Sequence, residues 1–228
     1  MSCKNIINTV SKRVFIIFFL MHSSLALGDA FKMGMTSMEA GDYAEAYCLW
    51  RPLAMRGHTE AAYHLGWLYA NGNGLRVDVS KALYWWGQAA SHGHRDAMFA
   101  LALAYTNGEG IKQDDAAAMS WYLKAAANGH EDAREIIKAK VRYPTQDVLP
   151  HLKSLLTTDW LGQKVVINTT KANLRSGPGK QYRVEKQAEQ GAHFVAVQHQ
   201  GKWLQIINPA DLSYAWVADW LVESSDKK

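Results

Sequence analysis

The chain has 228 residues, of which 48% are apolar and 20% are charged, a composition typical of a globular protein with one or two modest cores. Its formal net charge is +4, but residues 1–28 carry three cations and no anion, so the remainder has a net charge of +1. A chain this close to neutral has no broad electrostatic surface for nucleic acid or anionic lipid, and we exclude both as default partners.

The N-terminal segment, residues 1–28, is typical of a cleaved signal peptide. Three cations precede an apolar run over residues 14–21. A membrane-spanning helix needs about 20 apolar residues, so this run is too short to span comfortably, although a retained anchor is the alternative. Small residues favour cleavage before Asp29 or, alternatively, before Leu27. We therefore predict a periplasmic or secreted bacterial protein with no integral membrane segment after cleavage.

We expect only one of the two cysteines to remain after cleavage, because Cys3 lies within the predicted signal peptide. Cys48 would then remain alone, without an intramolecular disulfide partner. It sits in an alanine-rich amphipathic stretch, where a buried, inert thiol is commoner than a nucleophile. We expect Cys48 to be a packing residue.

A repeat of 36 residues organises the segment 29–141. Related Gly-His words begin at Gly57, Gly93 and Gly129, at a constant interval of 36 residues. The same interval relates Leu65 to Leu101, Tyr69 to Tyr105, Gly72 to Gly108, Gly74 to Gly110, Asp78 to Asp114 and Trp85 to Trp121. Agreement at this many positions predicts a stack of similar structural units.

Each unit is predicted to be a pair of helices. Residues 61–70 have apolar side chains at helical spacing, and an Asn-Gly-Asn-Gly loop then breaks the pattern. Asp78 is placed to cap a second helix that ends near Ser91, where Gly93 can adopt a left-handed conformation. An isolated hairpin cannot hide its apolar face, so neighbouring units must stack.

The array extends at both ends of these repeats. A degenerate first unit precedes them, with Asp42, Ala46, Trp50 and Ala54 one period before Asp78, Ala82, Trp86 and Ala90. A trailing helix from Glu131 to about Val141 is expected to cover the last hairpin. The segment 29–141 is thus predicted to hold about three repeats and a capping helix.

The run Leu65-Gly66-Trp67-Leu68-Tyr69, with Gly72, Gly74, Asp78, Trp85, Trp86 and Gly93, resembles the Sel-1-like repeat, a relative of the tetratricopeptide repeat. The second copy departs at Ala102, where the family usually has Gly. The resemblance implies an α-solenoid scaffold for protein assembly, without a reaction. Solenoids bind through successive first helices, so the candidate partner-binding residues are Tyr63, Trp67, Phe99 and Leu103. The alternative is that these side chains fill the core between repeats.

The C-terminal part is predicted to be all-β. Residues 142–164 form a connector with a short apolar helix around 148–156, and 224–228 a disordered tail. Between them the apolar pattern becomes strand-like, at 165–167, 194–197, 203–207 and 214–217. Several short strands in this length favour a small barrel over residues 165–223.

Asn173-Leu174-Arg175-Ser176-Gly177-Pro178, with the later words around Trp203 and Trp216, resembles the bacterial SH3 domain. Ala215 replaces the Gly usually found before the second Trp. The resemblance implies a domain that often binds cell-wall peptides. Candidate peptide-binding residues are Tyr182, Trp203 and Tyr214, with Arg175 near one end, although Trp203 can equally be framework.

Together these observations predict a multi-domain α + β protein, an α-solenoid of helical hairpin repeats followed by a small all-β SH3-like barrel. The predicted function is that of a non-catalytic exported adaptor, with an envelope protein on the solenoid and peptidoglycan stem peptide or an envelope protein on the barrel. No catalytic set, metal site or cofactor is predicted, since His58, His94 and His130 share one turn position. The alternatives are a cell-wall hydrolase or its accessory with Cys48-dependent activity, and a barrel that pairs with its own chain or a second copy.

Overall fold

The computed structural model describes residues 25–144 and 146–225, with side chains from residue 28 onward. The chain divides into two compact units, the first ending at His130 and the second beginning at Glu131. Residues 1–24 of the predicted signal peptide and 226–228 of the predicted tail lie outside the described residues. In the described part of the chain, no helix is both long enough and apolar enough to cross a membrane.

The described first unit is a row of three helical hairpins, as the repeat predicts. They are α1 (Leu25–Glu39) with α2 (Tyr43–Ala54), α3 (Thr59–Asn71) with α4 (Val79–Ser91), and α5 (Arg95–Asn107) with α6 (Asp115–Ala127). Corresponding helices of the last two hairpins begin 36 residues apart. The prediction of a helical repeat solenoid is confirmed.

The predicted cap of the second helix forms in both complete repeats. The Asp78 carboxylate accepts a hydrogen bond from the backbone N–H of Lys81 at 3.0 Å, and Asp114 accepts one from Ala117 at 2.9 Å. Each bond satisfies an N–H that the helix leaves without an internal partner. At the other end, Gly93 has φ +88°, the left-handed conformation predicted for it.

The loop inside each repeat packs against the preceding hairpin. A side chain at Gly74 would lie within about 3 Å of the backbone of Tyr43, and one at Gly110 would lie within 3 Å of the Val79 side chain. Tyr43 and Val79 begin the second helices of two successive hairpins. Both glycines also have φ +67°, so positive φ and close approach together require glycine here.

The departure at Ala102 has a structural reason. In the preceding repeat, a side chain at Gly66 would lie less than 3.0 Å from the indole of Trp86. One period later Trp86 is replaced by the smaller ring of Tyr122, which leaves room for the methyl group of Ala102. The Tyr122 hydroxyl lies 3.2 Å from the hydroxyl of Thr106, and the corresponding residue of the preceding repeat is Ala70. The two hairpins thus pack their helices together with different residues, Gly66 with Trp86 in one and Ala102 with Tyr122 in the other.

The structure corrects one sequence expectation about Cys48. This residue is buried on α2, as predicted, with 7% exposure. It is nevertheless disulfide-bonded in the structure, so the prediction of a lone thiol is wrong. The expectation assumed that Cys3, the other cysteine of the sequence, is removed with the signal peptide.

The second unit contains α7 (Glu131–Arg142), a 3₁₀ turn (Leu149–His151), α8 (Leu152–Leu155) and an antiparallel sheet. Its described strands are β1 (Gln163–Ile167), β2 (Lys171–Arg175), β3 (Val184–Glu189), β4 (His193–Gln200), β5 (Trp203–Ile207), β6 (Tyr214–Ala218) and β7 (Val222–Ser224). The predicted strands correspond to β1, β4, β5 and β6, whereas β2, β3 and β7 were not predicted as strands. Ser224, where the tail was predicted to begin, pairs with Val165.

The described strands form one sheet in the order β3-β2-β6-β5-β4-β1-β7. No ladder among them joins β3 to β7, so the sheet is open and the predicted closure into a barrel is not seen. The reason is that the unpredicted strands β3 and β7 occupy the two edges. Its core is a cluster of apolar side chains that includes Val165, Ile167, Leu174, Phe194, Ile206 and Val217.

The C-terminal end of α7 is tied to this sheet by three hydrogen bonds. The Tyr214 hydroxyl donates to the carbonyl of Val141 at 2.8 Å, and the Gln205 amide donates to the carbonyl of Arg142 at 3.2 Å. The Arg142 guanidinium donates to the carbonyl of Val197 at 3.2 Å. Two carbonyls at the helix end, which lack intrahelical partners, are satisfied in this way.

Candidate binding sites

In both complete repeats, the histidine of the Gly-His word caps the first helix. His58 accepts a hydrogen bond at Nδ1 from the backbone N–H of Ala61, and His94 accepts one from Ala97, both at 3.3 Å. Each bond satisfies an N–H in the first turn of the helix, which has no partner within the helix. The shared position thus has the structural role that the sequence indicates, one turn device used repeatedly.

Each of these histidines also stacks on an aromatic ring from the preceding hairpin. Tyr63 lies over His94 with ring centroids 4.5 Å apart, and Phe99 lies over His130 at 4.1 Å, both with an interplanar angle of 19°. Phe31 and His58 make the corresponding contact at 5.0 Å. The first and second hairpins, and the second and third, are therefore each joined by a ring stack.

His64 lies beside these stacks on α3 and was not singled out by the sequence. Its ring stacks on Trp50 at 4.8 Å and lies 5.8 Å from Phe31. Burial, and then the neighbouring His94, lower the pKa of His64 to about 4. Burial also lowers the pKa of His94, against the opposing effects of Asp96 and Glu60. Both imidazoles are therefore neutral near pH 7.

The four predicted partner-binding residues fall into two rows. Tyr63 and Phe99 are half-buried and form ring stacks, Tyr63 with His94 of the next hairpin and Phe99 with His130 after the last hairpin. Trp67 and Leu103, one turn further along the same helices, occupy equivalent positions at the outer edge. Trp67 is half-buried and lies 6.3 Å from Tyr43, whereas Leu103 is exposed. The inner row builds the array, and the outer row borders solvent.

An open groove of about 200 Å³ lies on the sheet of the second unit. It is lined by Lys171, Asn173, Arg175, Lys180, Trp203, Ala218, Trp220 and Leu221. The groove opens because β2 pairs with β6 only at Arg175 and Trp216 in the described ladder, so the remainder of β2 has no partner on that side. Strand β2 was not predicted, and neither was this opening.

The groove combines two indoles with three cations. The rings of Trp203 and Trp220 are 6.2 Å apart with an interplanar angle of 65°, and Trp220 is 52% exposed. Lys171 and Lys180 are exposed, and Arg175 is half-buried. The lining contains no carboxylate.

Two of the four predicted peptide-binding residues, Arg175 and Trp203, line this groove. The Arg175 guanidinium donates to the carbonyls of Lys180 and Tyr182, at 3.1 and 2.8 Å, and thereby holds the loop between β2 and β3. The Tyr182 ring lies over Gly177. Tyr214 bonds to α7, and burial raises the pKa of its hydroxyl to about 12. The sequence had no signal for Lys171, Lys180 and Trp220, whose proximity depends on strand pairing.

Within residues 25–144 and 146–225, no three His, Cys, Asp or Glu side chains are arranged to hold a metal ion.

Two curated relatives share a short segment with this chain. Both are described as probable cell wall amidase LytH, from two strains of Staphylococcus epidermidis. Each is 38% identical over 52 residues, which are 23% of this chain and 18% of the relative. The chain therefore spans less than a fifth of these relatives.

Three solved structures are similar to part of the chain. One is c5321, a protective antigen of uropathogenic Escherichia coli with an SLR fold, at 27% identity and a TM-score of 0.48 over 50% of this chain and 26% of that chain. A Sel1 repeat protein from Oxalobacter formigenes has the same identity and TM-score over 50% and 49%. Helicobacter pylori cysteine rich protein B has 19% identity and a TM-score of 0.40 over 49% and 94%.

The Sel1 repeat family matches two consecutive segments, residues 59–94 and 95–130. The first segment contains α3 and α4, and the second contains α5 and α6. Each begins at the helix capped by the Gly-His histidine and ends at the histidine of the next word. Residues 59–130 of this chain are therefore two Sel1 repeats.

Proposed function

We propose that this protein is an exported, non-catalytic adaptor. Its repeats hold an envelope protein, and its sheet unit holds peptidoglycan stem peptide or a second envelope protein. Sel1 repeat proteins act in protein–protein interaction, which supports the first half of the proposal. The observation that carries it is the division of the four candidate residues into two rows, because Tyr63 and Phe99 form ring stacks while Trp67 and Leu103 border solvent.

The stacked joints favour binding by preorganisation. A partner that docks on several hairpins at once would otherwise have to order them, and this ordering costs binding free energy. Here the His94 and His130 stacks hold Tyr63 and Phe99, and these in turn position the outer residues one turn away. The proposed partner surface comprises Tyr63 and Phe99 at its inner edge and Trp67 and Leu103 at its outer edge.

We propose that the sheet unit is a relative of the bacterial SH3 domain. The segment that resembles this domain, 173–178, supplies most of β2 and the start of the loop that Arg175 holds. The proposed peptide site of this unit keeps Arg175 and Trp203 in the groove, with Tyr182 and Tyr214 beside it as framework. Aromatic side chains add contact area at a low cost in side-chain entropy, which suits an extended peptide.

In-cell crosslinking tests the first half. The full chain is produced in bacteria with a photocrosslinking amino acid at Leu103 or, in a separate variant, at Trp67, and irradiated in intact cells. The matched control places the same amino acid at Met55, which is 68% exposed beyond the end of α2. We expect one discrete envelope protein crosslinked from 103 and 67 but not from 55. Equal capture from all three positions, or recovery of the protein from the cytoplasm alone, contradicts the proposal.

Co-sedimentation with purified sacculi tests the wall branch of the second half. The full chain is mixed with intact sacculi and with sacculi from which an amidase has removed the stem peptides. Preferential retention on intact sacculi supports stem-peptide binding. Equal retention, or none, rejects this branch and leaves a second envelope protein as the occupant.

The match to a probable cell wall amidase favours one alternative, a wall hydrolase or its accessory. Cys48 is a poor nucleophile for this alternative, because a catalytic cysteine needs an accessible thiolate and Cys48 is buried on α2. Release of soluble fragments from sacculi by the purified full chain would support the alternative. Absence of release, with retention on the sacculi, favours the adaptor.

A further inference from the structure

We propose that the groove between β2 and the Asp219–Leu221 turn binds an extended acidic segment of a protein partner, with carboxylates on the β2 cations and an apolar side chain against Trp203 and Trp220. The inference rests on the proposed function and deepens its second half. It specifies that the ligand of the sheet unit is a segment of a protein, and it states which charge and which residue spacing that segment must have.

The charge of the groove favours a carboxylate ligand. Lys171, Arg175 and Lys180 line it together, and within the described residues none of them forms an ion pair with a carboxylate. Glu189 lies opposite Lys171 in the β2–β3 register but does not line the groove. By contrast, Lys164 and Lys186 in the same sheet unit pair with Asp159 and Asp211, respectively. The groove thus presents positive charge that the protein itself does not neutralise there.

The size of the groove favours a chain laid across it. Pockets that enclose a small molecule have volumes of roughly 300–1,000 Å³. This groove has about 200 Å³ and opens to solvent beside the exposed indole of Trp220. An extended peptide needs only one or two side chains in such a space, while its backbone remains at the rim.

The spacing of the β2 side chains specifies the ligand further. Lys171, Asn173 and Arg175 alternate along one strand and therefore point to the same face. A strand rises about 3.3 Å per residue, so Lys171 and Arg175 are separated by roughly 13 Å along β2. An extended peptide presents carboxylates at the same separation when they are four residues apart. Its middle residue, two positions from each, lies on the same face, and we assign to it the apolar side chain that contacts the indole pair.

Fluorescence polarisation with the full chain tests this pattern. The probe is a fluorescein-labelled peptide, Gly-Ser-Glu-Thr-Leu-Thr-Glu-Ser-Gly, and its matched control carries Gln in place of both Glu residues. We expect the Gln peptide to bind about tenfold more weakly, because it loses two charge-assisted contacts. Affinity for the Glu peptide should fall as NaCl rises from 50 to 500 mM.

Substitutions locate the site. We expect the double variant Lys171→Glu with Lys180→Glu to weaken binding of the Glu peptide by about tenfold or more, since the Lys171 contact becomes a repulsion and the groove changes from positive to negative charge. Trp220→Ala should weaken it about fivefold, and its half-exposed position leaves the fold intact, which circular dichroism checks. The control, Lys153→Glu, makes one like charge reversal at an exposed position on α8 outside the groove and should leave affinity unchanged.

Three outcomes would overturn the inference. These are equal binding of the Glu and Gln peptides, unchanged affinity in the double lysine variant, and preference of the groove for soluble wall fragments carrying stem peptide over the Glu peptide. If the Glu peptide fails while Leu103 still crosslinks an envelope protein, the groove inference falls and the adaptor proposal stands. If both fail, both are wrong.

Discussion

Replacing Gly66 with alanine tests whether the two repeats are packed by alternative compensating sets. In α3 a methyl group at this position would lie less than 3.0 Å from the Trp86 indole. The corresponding pair one repeat later is Ala102 with Tyr122, where a methyl group is already present. We therefore expect Gly66→Ala to destabilise the first unit and a further exchange, Trp86→Tyr, to restore it.

The magnitude follows from two opposing effects. Alanine stabilises a helix interior by about 0.5–1 kcal/mol relative to glycine. Overpacking of a tight contact costs about 1–3 kcal/mol. The net loss in free energy of unfolding should be about 1 kcal/mol. Trp86→Tyr removes the clash and also removes a buried indole N–H that lacks a partner in the described structure.

Tyrosine at position 86 also needs a partner for its hydroxyl. Tyr122 has one in Thr106, 3.2 Å away, and the residue one period earlier is Ala70. The triple variant Gly66→Ala, Ala70→Thr, Trp86→Tyr copies the later repeat completely. We expect its stability to lie within about 0.5 kcal/mol of the wild type, since the three positions are coupled rather than additive.

Urea unfolding of the full chain, monitored by far-UV circular dichroism, measures these differences. Gly87→Ala is the matched control, because it lies within helix α4 of the same repeat and a side chain there meets nothing within 4 Å. It should stabilise the protein by about 0.5–1 kcal/mol. The reasoning is refuted if Gly66→Ala is as stabilising as the control, or if the triple variant is less stable than Gly66→Ala alone.

Three further perturbations follow from the structure. Because the folded protein holds the His64 pKa at about 4, below the ordinary 6.5, the unfolded chain binds the extra proton. The part of the free energy of unfolding that comes from keeping His64 neutral is fully present above pH 6.5 and is lost as the pH falls towards 4. The limit is about 3 kcal/mol, reduced to about 1–2 kcal/mol by solvent screening, and His64→Gln should flatten the urea stability profile between pH 7 and 5. Gly110→Ala should cost at least about 1–2 kcal/mol, because φ is +67° and Val79 blocks the methyl group. Tyr214→Phe should cost about 1 kcal/mol, because the carbonyl of Val141 loses its donor.

Each of these has a result that contradicts it. An unchanged pH profile in His64→Gln would show that the imidazole does not resist protonation in the folded state. Stabilisation by Gly110→Ala would mean that the loop does not press against the preceding hairpin. A Tyr214→Phe variant as stable as the wild type, with unchanged amide hydrogen exchange at the end of α7, would show that the hydroxyl contributes nothing there.

The helical part of the fold was predictable because its signals are local and repeated. A cap at Asp78, a left-handed glycine at Gly93 and apolar positions at helical spacing each act within a few residues. The 36-residue interval then predicts that whatever one hairpin does, the next does also. A shared structural role for the Gly-His histidines was predictable for the same reason, although the capping hydrogen bond itself was not predicted.

The sheet and its groove were less predictable. Strands β1, β4, β5 and β6 carry apolar runs, whereas β3 is exposed at nearly every position and leaves no such pattern. Lys171 and Trp220 are far apart in sequence and meet only through the pairing of strands. Tyr214 looked like a groove residue, but its hydroxyl bonds to α7. Pairing partners are selected by the whole core, which a local pattern does not encode.

The amino-acid sequence by itself determined the repeat, its hairpins, their caps and the change to strands near residue 164, since each depends on backbone preferences and side-chain periodicity over short distances. Only the tertiary structure decided which aromatic residues lock the hairpins and which border solvent, that His64 is buried, that Cys48 is disulfide-bonded, and that three cations and two indoles share one groove. These properties depend on which distant segments are brought into contact, and that choice is made by packing the whole chain at once.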